Sequence, residues 1–232
     1  MAQTKGDATG AAESEIVVAI PLFHRFTALD AVGPYEALHM VPGLTVRFVS
    51  AREGEAIAAD MGMLRLLSTA SFADLQQPDI IVVPGGPGSF AALSDPLFMD
   101  WLKQAHTTST YTTSVCTGSL ALGAAGLLEG LHATCHWSCY KDLAAFGAVP
   151  SEQRVIQQGK IITSAGVSSG IDMALHLISL LKGEEVAKMV QLLIEYDPQP
   201  PYDVGAPSKA GEELVKKTKD FSQYFLNKLP TN

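Results

Sequence analysis

A short β-branched stretch that ends in a cysteine and opens directly into small residues constrains this chain more than any other feature. Residues 111–115 are typical of a buried strand, and residues 117–125 are suited to start a helix at once. The pattern predicts a strained strand-to-helix corner that presents Cys116, with the helix N-terminus favouring its thiolate. The alternative is a buried, inert cysteine, which is the commoner state of a free thiol.

Apolar segments before and after this corner alternate between strand and helix patterns. Strands are predicted at residues 16–22, 44–50, 79–83, 112–115 and 160–164, with a minor edge strand at 65–68. Helices are predicted at residues 29–38, 96–106, 171–181, 184–195 and 211–226. Alternation of this kind predicts an α/β fold, with a parallel sheet covered by helices on both faces.

The composition fits one substantial domain. Hydrophobic residues make up 47% of the 232 residues and charged residues 17%, which allows a large core. We expect residues 1–14 to form a flexible tail, residues 15–207 an α/β domain and residues 208–232 a helical extension.

Charge and cysteine usage exclude several classes of partner. A net charge of −8 opposes binding to nucleic acid or to an anionic membrane surface. The sequence contains neither a run of about 20 apolar residues nor an apolar secretory segment at its start. Three cysteines, an odd number, fit a reducing compartment, so we predict a cytoplasmic protein.

Candidate functional residues follow the predicted strands, whose carboxyl ends collect ligands in a doubly wound sheet. Backbone N–H groups of Gly86 and Thr117 are predicted to stabilise negative charge on a substrate beside Cys116. Asp30 lies among apolar neighbours, so its raised pKa would let it exchange protons with that substrate. The alternatives are an ordinary turn at the glycine and a helix N-cap at Asp30.

A histidine downstream of the corner is a further candidate. His136 could form a Cys–His pair with Cys116, or it could be a structural residue packed beside Trp137. Together with Cys135 and Cys139 it suggests zinc, but no second ligand pair appears elsewhere at a suitable spacing. We therefore predict no metal.

Several of these segments resemble one superfamily. Residues 114–120, 84–86 and 133–137 resemble ThiJ/PfpI proteins, which share a glutamine-amidotransferase-like, flavodoxin-like doubly wound fold. The chain resembles the isocyanide hydratases within that superfamily at four further segments, residues 29–34, 124–128, 170–172 and 191–198. The similarity extends from about residue 16 to residue 207 and implies a homodimer that acts on a small-molecule substrate.

The resemblance also implies a reaction. Cys116 would add to the isocyanide carbon and form a thioimidate, while Asp30 would protonate that carbon and then activate water. Thr117 would orient the thiolate or the water, and an N-substituted formamide would be released. No metal or organic cofactor is required.

Three departures and two alternatives accompany this interpretation. Many superfamily members carry glutamate where Asp30 stands, and the protease-like branch has histidine where Thr117 stands, which argues against peptide hydrolysis. Residues 164–169 differ from the hydratase pattern and are predicted to affect mobility near the corner or substrate preference. The alternatives are a glyoxalase- or deglycase-like enzyme acting on small aldehydes, and a non-enzymatic redox sensor in which Cys116 oxidises to sulfinic acid.

Overall fold

The computed structural model describes residues 15–228, so the predicted tail at residues 1–14 lies outside the described part. The strands are β1 (Ile16–Pro21), β2 (Leu44–Ser50), β3 (Ala56–Ala58), β4 (Arg65–Leu67), β5 (Ala70–Ser71), β6 (Ile80–Val83), β7 (Tyr111–Val115), β8 (His132–Ala133), β9 (Val149–Pro150), β10 (Val155–Gln158) and β11 (Ile161–Ser164). The helices are α1 (Ala28–Leu38), α2 (Ser89–Ala92), α3 (Pro96–Thr108), α4 (Gly118–Ala124), α5 (Tyr140–Ala145), α6 (Ser169–Lys182), α7 (Glu184–Leu193) and α8 (Pro207–Leu226), with a 3₁₀ turn at Trp137–Cys139.

The main sheet has seven strands in the order β10-β11-β7-β6-β1-β2-β5. All neighbouring pairs are parallel except β10 and β11, which are antiparallel at one edge. The predicted class, a mostly parallel doubly wound sheet, is therefore confirmed. The minor edge strand predicted at residues 65–68 is present as β4, but it pairs with β3 in a separate two-stranded sheet, and β5 forms the edge of the main sheet beside β2.

Helices cover both faces of the sheet because the central strands are apolar on both faces. In β6, Ile80 and Val82 pack in one hydrophobic cluster, and Ile81 and Val83 pack in another. Residues of α1, α6 and α7 complete the first cluster, and residues of α3, α4 and α5 complete the second. Each fully buried aliphatic side chain of this kind stabilises the fold by about 1.5–3 kcal/mol.

The C-terminal helix lies outside both clusters. None of the residues of α8 is buried, and Gly211, at a φ of 74°, interrupts its helical geometry. The division into domain and extension at residue 207 stays a prediction, although α8 begins at that residue. Among residues 15–228, no helix combines the length and the apolar character needed to cross a bilayer.

The strand order places a topological switch point between β1 and β6. The chain leaves β1 through α1 to reach β2 on one side, whereas β6 and β7 lie on the other side. Ligands of doubly wound sheets bind outside the carboxyl ends of strands at such a point. Asp30 follows β1, Gly86 follows β6 and Cys116 follows β7, so the three segments meet there.

Candidate active site

Cys116 lies at the predicted corner, in a strained conformation. Its φ is 59°, a left-handed value that costs a non-glycine residue about 1–2 kcal/mol. The Cys116 N–H donates to the Ala165 carbonyl at 2.8 Å, which fixes the corner against the end of β11. Next to it, a Cβ on Gly118 would lie 2.2 Å from the Val83 carbonyl oxygen, so only glycine lets α4 begin this close to the sheet.

Asp30 is brought together with this cysteine. Its side chain is fully buried, and Oδ2 accepts a hydrogen bond from the Gly85 N–H at 2.9 Å. The Cys116 thiol donates to the same carboxylate, while Oδ1 has no partner within the described structure. Asp30 is not a helix N-cap, because Thr27 occupies that position in α1 and the Asp30 carboxylate bonds outside its own helix.

Burial changes the acidity of this carboxyl group. It raises the pKa of Asp30 from the ordinary 3.8 to about 7, against the opposing effect of the hydrogen bonds from Gly85 and Cys116. The nearby charge of Asp60 adds a smaller rise. A carboxyl group with a pKa near neutrality can both accept and return a proton at physiological pH.

The sulfur is held mainly as a thiol, contrary to the predicted resting thiolate. Cys116 is only 5% exposed, and burial together with the negative charge of Asp30 raises the pKa of the thiol well above its usual range. The N–H groups of Thr117 and Val167 face the sulfur and lower that pKa, but desolvation outweighs them. The thiolate therefore depends on transfer of the proton to Asp30.

The turn after β6 is hydrogen-bonded to the side chain of Thr117. The Gly86 N–H donates to Thr117 Oγ1 at 2.8 Å, and Ser89 Oγ lies 2.8 Å from the same oxygen. The prediction that the Gly86 N–H faces the substrate is corrected by this contact, since the group is already engaged. Gly86 has a φ of 138°, and a Cβ on Gly85 would lie 2.4 Å from the Thr117 nitrogen, so the turn requires both glycines.

Thr117→Val is expected to destabilise the protein by about 1–3 kcal/mol, because the buried Gly86 N–H and Ser89 hydroxyl lose their partner. Thr117→Ser keeps the hydroxyl and is expected to lose markedly less. Thermal unfolding of the two variants beside the wild type measures the difference. Equal melting temperatures for the two variants would show that the hydroxyl contributes nothing.

His136 is not brought to the sulfur. Its Nδ1 lies 2.7 Å from Ser138 Oγ, its ring packs against Trp137 at 5.4 Å between centroids, and burial lowers its pKa. Within residues 15–228, the groups that perturb the thiol of Cys116 are Asp30 and the Thr117 and Val167 amides, so no Cys–His pair is present.

The remaining cysteines are free and do not build a metal centre. Cys135 and Cys139 are both buried and unbridged. In the part of the chain that the structure describes, no group of three or more His, Cys, Asp or Glu side chains is arranged to hold a metal ion.

Two residues contribute to the site although nothing in their side-chain chemistry or sequence context marks them as functional. Val167 acts through its backbone N–H, and Ser89 acts through a contact with a residue 28 positions along the chain. The one indication in the sequence for Val167 was that residues 164–169 differ from the hydratase pattern. A cavity of about 320 Å³ also borders that residue.

Comparison with known proteins finds related sequences and structures. The profile of the DJ-1/PfpI family matches residues 17–180. Isonitrile hydratase of Pseudomonas putida is 39% identical over 198 residues, which cover 85% of this chain and 86% of that protein. A crystal structure of a ThiJ/PfpI family protein from Pseudomonas syringae has a TM-score of 0.85 at 34% identity, covering 99% of this chain and 95% of that chain.

A partial match carries a different name. A glutathione-independent glyoxalase of Caenorhabditis elegans is 28% identical over 107 residues, which cover 46% of this chain and 57% of that protein.

The family profile spans well over half of the 232 residues, and the resemblance inferred from the motifs is confirmed. The chain belongs to the DJ-1/PfpI family.

Proposed function

We propose that this protein hydrates isocyanides to N-substituted formamides. The observation that carries the proposal is a buried carboxyl group that accepts a hydrogen bond from the Cys116 thiol and keeps one oxygen unpartnered within the described residues. The similarity to an isonitrile hydratase supports the choice of substrate, because isonitrile and isocyanide name the same functional group.

The first half of the reaction forms the covalent adduct. Asp30 takes the thiol proton, and the Cys116 sulfur then adds to the electrophilic terminal carbon of the isocyanide. The Thr117 N–H lowers the pKa of the thiol and so stabilises the anionic sulfur before it attacks. Asp30 returns its proton to the former isocyanide carbon, which gives a neutral thioimidate, S–CH=N–R.

The second half releases the product. Asp30, again a carboxylate, accepts a proton from water as the water oxygen adds to the thioimidate carbon, and it passes that proton to nitrogen. The C–S bond of the resulting adduct breaks, the hydroxyl proton returns to sulfur through Asp30, and N-substituted formamide leaves. Atoms balance as isocyanide plus water, so the reaction as proposed needs neither a metal nor an organic cofactor.

Turnover of an alkyl isocyanide by the purified protein tests this proposal. We expect formamide to accumulate over many turnovers, measured by ultraviolet absorbance and identified by mass spectrometry. Heat-denatured protein at the same concentration is the control for spontaneous hydration. Product that does not exceed this control would end the proposal.

A glyoxalase-like activity on small aldehydes is the second candidate, and the partial similarity to the nematode glyoxalase favours it. Asp30 stands where glutamate is usual in the superfamily, which ranks this candidate lower. Lactate formed from methylglyoxal without any added cofactor would support it.

The redox-sensor alternative has less support, because a buried thiol with a raised pKa is poorly oxidised. Mass spectrometry after mild peroxide tests that alternative.

We also propose a homodimer, on the resemblance, and a cytoplasmic location, on the three free cysteines. Light scattering gives the molar mass in solution, and a monomer at micromolar concentration would contradict the first proposal. We expect the protein not to bind nucleic acid, because its net charge is −8.

A further inference from the structure

A cavity and the Cys116 sulfur share one neighbouring residue, Val167. The cavity measures about 320 Å³, and Val167 forms part of its wall. The N–H of that same residue faces the Cys116 sulfur. Val167 thus borders both the reacting atom and the cavity, and no step of the proposed reaction uses this space.

The walls of the cavity are aromatic on one side. Trp137 and Tyr140 line it, together with the ring of His136. A Cβ on Gly166 would lie 3.1 Å from His136 Cδ2, so the absence of a side chain there lets the loop approach the ring closely. Flat apolar or aromatic groups pack well against such walls.

The cation on the rim is already neutralised. Arg154 lines the cavity, but its Nη2 lies 2.6 Å from Asp172 Oδ2 and 3.2 Å from Ser168 Oγ. A ligand is therefore not required to bring a negative charge. This fits the uncharged side group of an isocyanide better than a carboxylate or phosphate.

Another part of the wall comes from the start of the C-terminal segment. Residues 205–208 line the cavity, and Lys219 of α8 lies over the Trp137 ring at 5.9 Å from its centroid. These residues lie beyond residue 180, where the match to the family profile ends.

We propose that this cavity binds the N-substituent of the isocyanide, that it favours aromatic substituents, and that residues 205–208 form its outer wall. The inference rests on the proposed function. The isocyanide group is linear and narrow, so in this proposal its terminal carbon approaches Cys116 beside Val167 while the wider substituent stays in the cavity.

The ratio of kcat/KM for benzyl isocyanide to that for methyl isocyanide tests the aromatic wall. Trp137→Ala is expected to lower this ratio about tenfold or more, the range typical of a lost apolar pocket contact, with methyl isocyanide changed by less than about twofold. Trp137→Phe keeps a flat ring and is expected to restore most of the ratio. An unchanged ratio in Trp137→Ala would overturn the inference.

A filled cavity tests the C-terminal wall. Ala206→Phe places a ring at the cavity and is expected to lower benzyl but not methyl turnover. Ala51→Phe is the matched control, since Ala51 is exposed and follows β2, on the opposite side of the sheet from β10 and β11. Equal benzyl turnover in the two variants would remove residues 205–208 from the site.

Binding without turnover separates this inference from the proposed function. The chain has two tryptophans, Trp137 and the buried Trp101, so N-benzylformamide added to Cys116→Ala is expected to change the emission of Trp137. The change should vanish when Trp137→Phe is added. Unchanged emission overturns the cavity assignment even if methyl isocyanide is hydrated. If no isocyanide is hydrated but the emission changes, the proposed function fails and the aromatic site stands.

Discussion

Cys116→Ala is expected to abolish isocyanide hydration, with turnover lowered at least about a thousandfold, because a covalent route loses its only nucleophile. Formamide production at saturating isocyanide measures the effect. The fold should persist, since alanine is smaller than cysteine and tolerates the corner about as well. A circular dichroism spectrum like that of the wild type would show this.

The matched control for this variant is Cys139→Ala. Cys139 is also free and buried, but it lies at the end of the 3₁₀ turn rather than beside Asp30. It is expected to keep wild-type turnover within about threefold. Wild-type rates in Cys116→Ala would refute the thioimidate mechanism, and a similar loss in both variants would point to a structural cause.

Asp30→Asn is expected to lower kcat by about a hundredfold to ten-thousandfold, the range for removal of a general acid–base group. An amide is nearly isosteric and can still accept the Gly85 N–H, so the loss should reflect proton transfer rather than folding. Turnover and the reactivity of Cys116 toward iodoacetamide are to be measured together. Unchanged turnover in Asp30→Asn would exclude a proton route through this carboxylate.

The acidity of Asp30 also predicts a pH profile. Its pKa of about 7 means that the carboxylate that accepts the thiol proton is lost as the pH falls below 7. The kcat/KM of the wild type should therefore fall about tenfold per pH unit on the acid side, with a midpoint near that pKa. Asp30→Asn should keep residual activity without that midpoint, and a profile that is flat between pH 5 and 8 would contradict the assignment.

The raised pKa of Asp30 also lowers the free energy of unfolding at neutral and higher pH. A carboxyl group whose folded pKa is about 7 and whose ordinary pKa is 3.8 binds its proton more tightly in the folded state. Stability attributable to Asp30 is thus greatest below pH 3.8 and is lost as the pH rises through 7, by up to about 4 kcal/mol. Asp30→Asn should therefore gain melting temperature relative to the wild type at pH 8 but not at pH 4. A loss at pH 8 would contradict this linkage.

Long apolar strands were predictable from the sequence, and short pairings were not. β1, β2, β6, β7 and β11 coincide closely with predicted segments. β1 and β6 are continuous apolar runs, as expected of parallel strands buried on both faces, and the other three are rich in β-branched residues. β10 was not predicted, since its four residues include two glutamines and its place depends on pairing with β11. β4 was predicted as a strand, but its pairing with β3 in a separate sheet was not, because three residues carry no signal that identifies their partner.

At the site, the meeting of Asp30 with Cys116 followed from one general rule about the carboxyl ends of parallel strands. What could not be predicted was which backbone N–H faces which atom. The Gly86 amide meets the Thr117 hydroxyl 31 positions away, and that contact exists only once α4 has docked. The protonation of the sulfur was also missed, because burial by the folded chain, not the helix N-terminus, dominates it.

The backbone at Cys116 limits which nucleophiles relatives of this protein can carry at that position. With φ at 59°, a residue branched at Cβ clashes with its own backbone, whereas a serine fits as cysteine does. Serine could therefore replace Cys116 without a steric clash, whereas threonine could not. Threonine-based variants of this chemistry would first have to rebuild the turn between strand and helix.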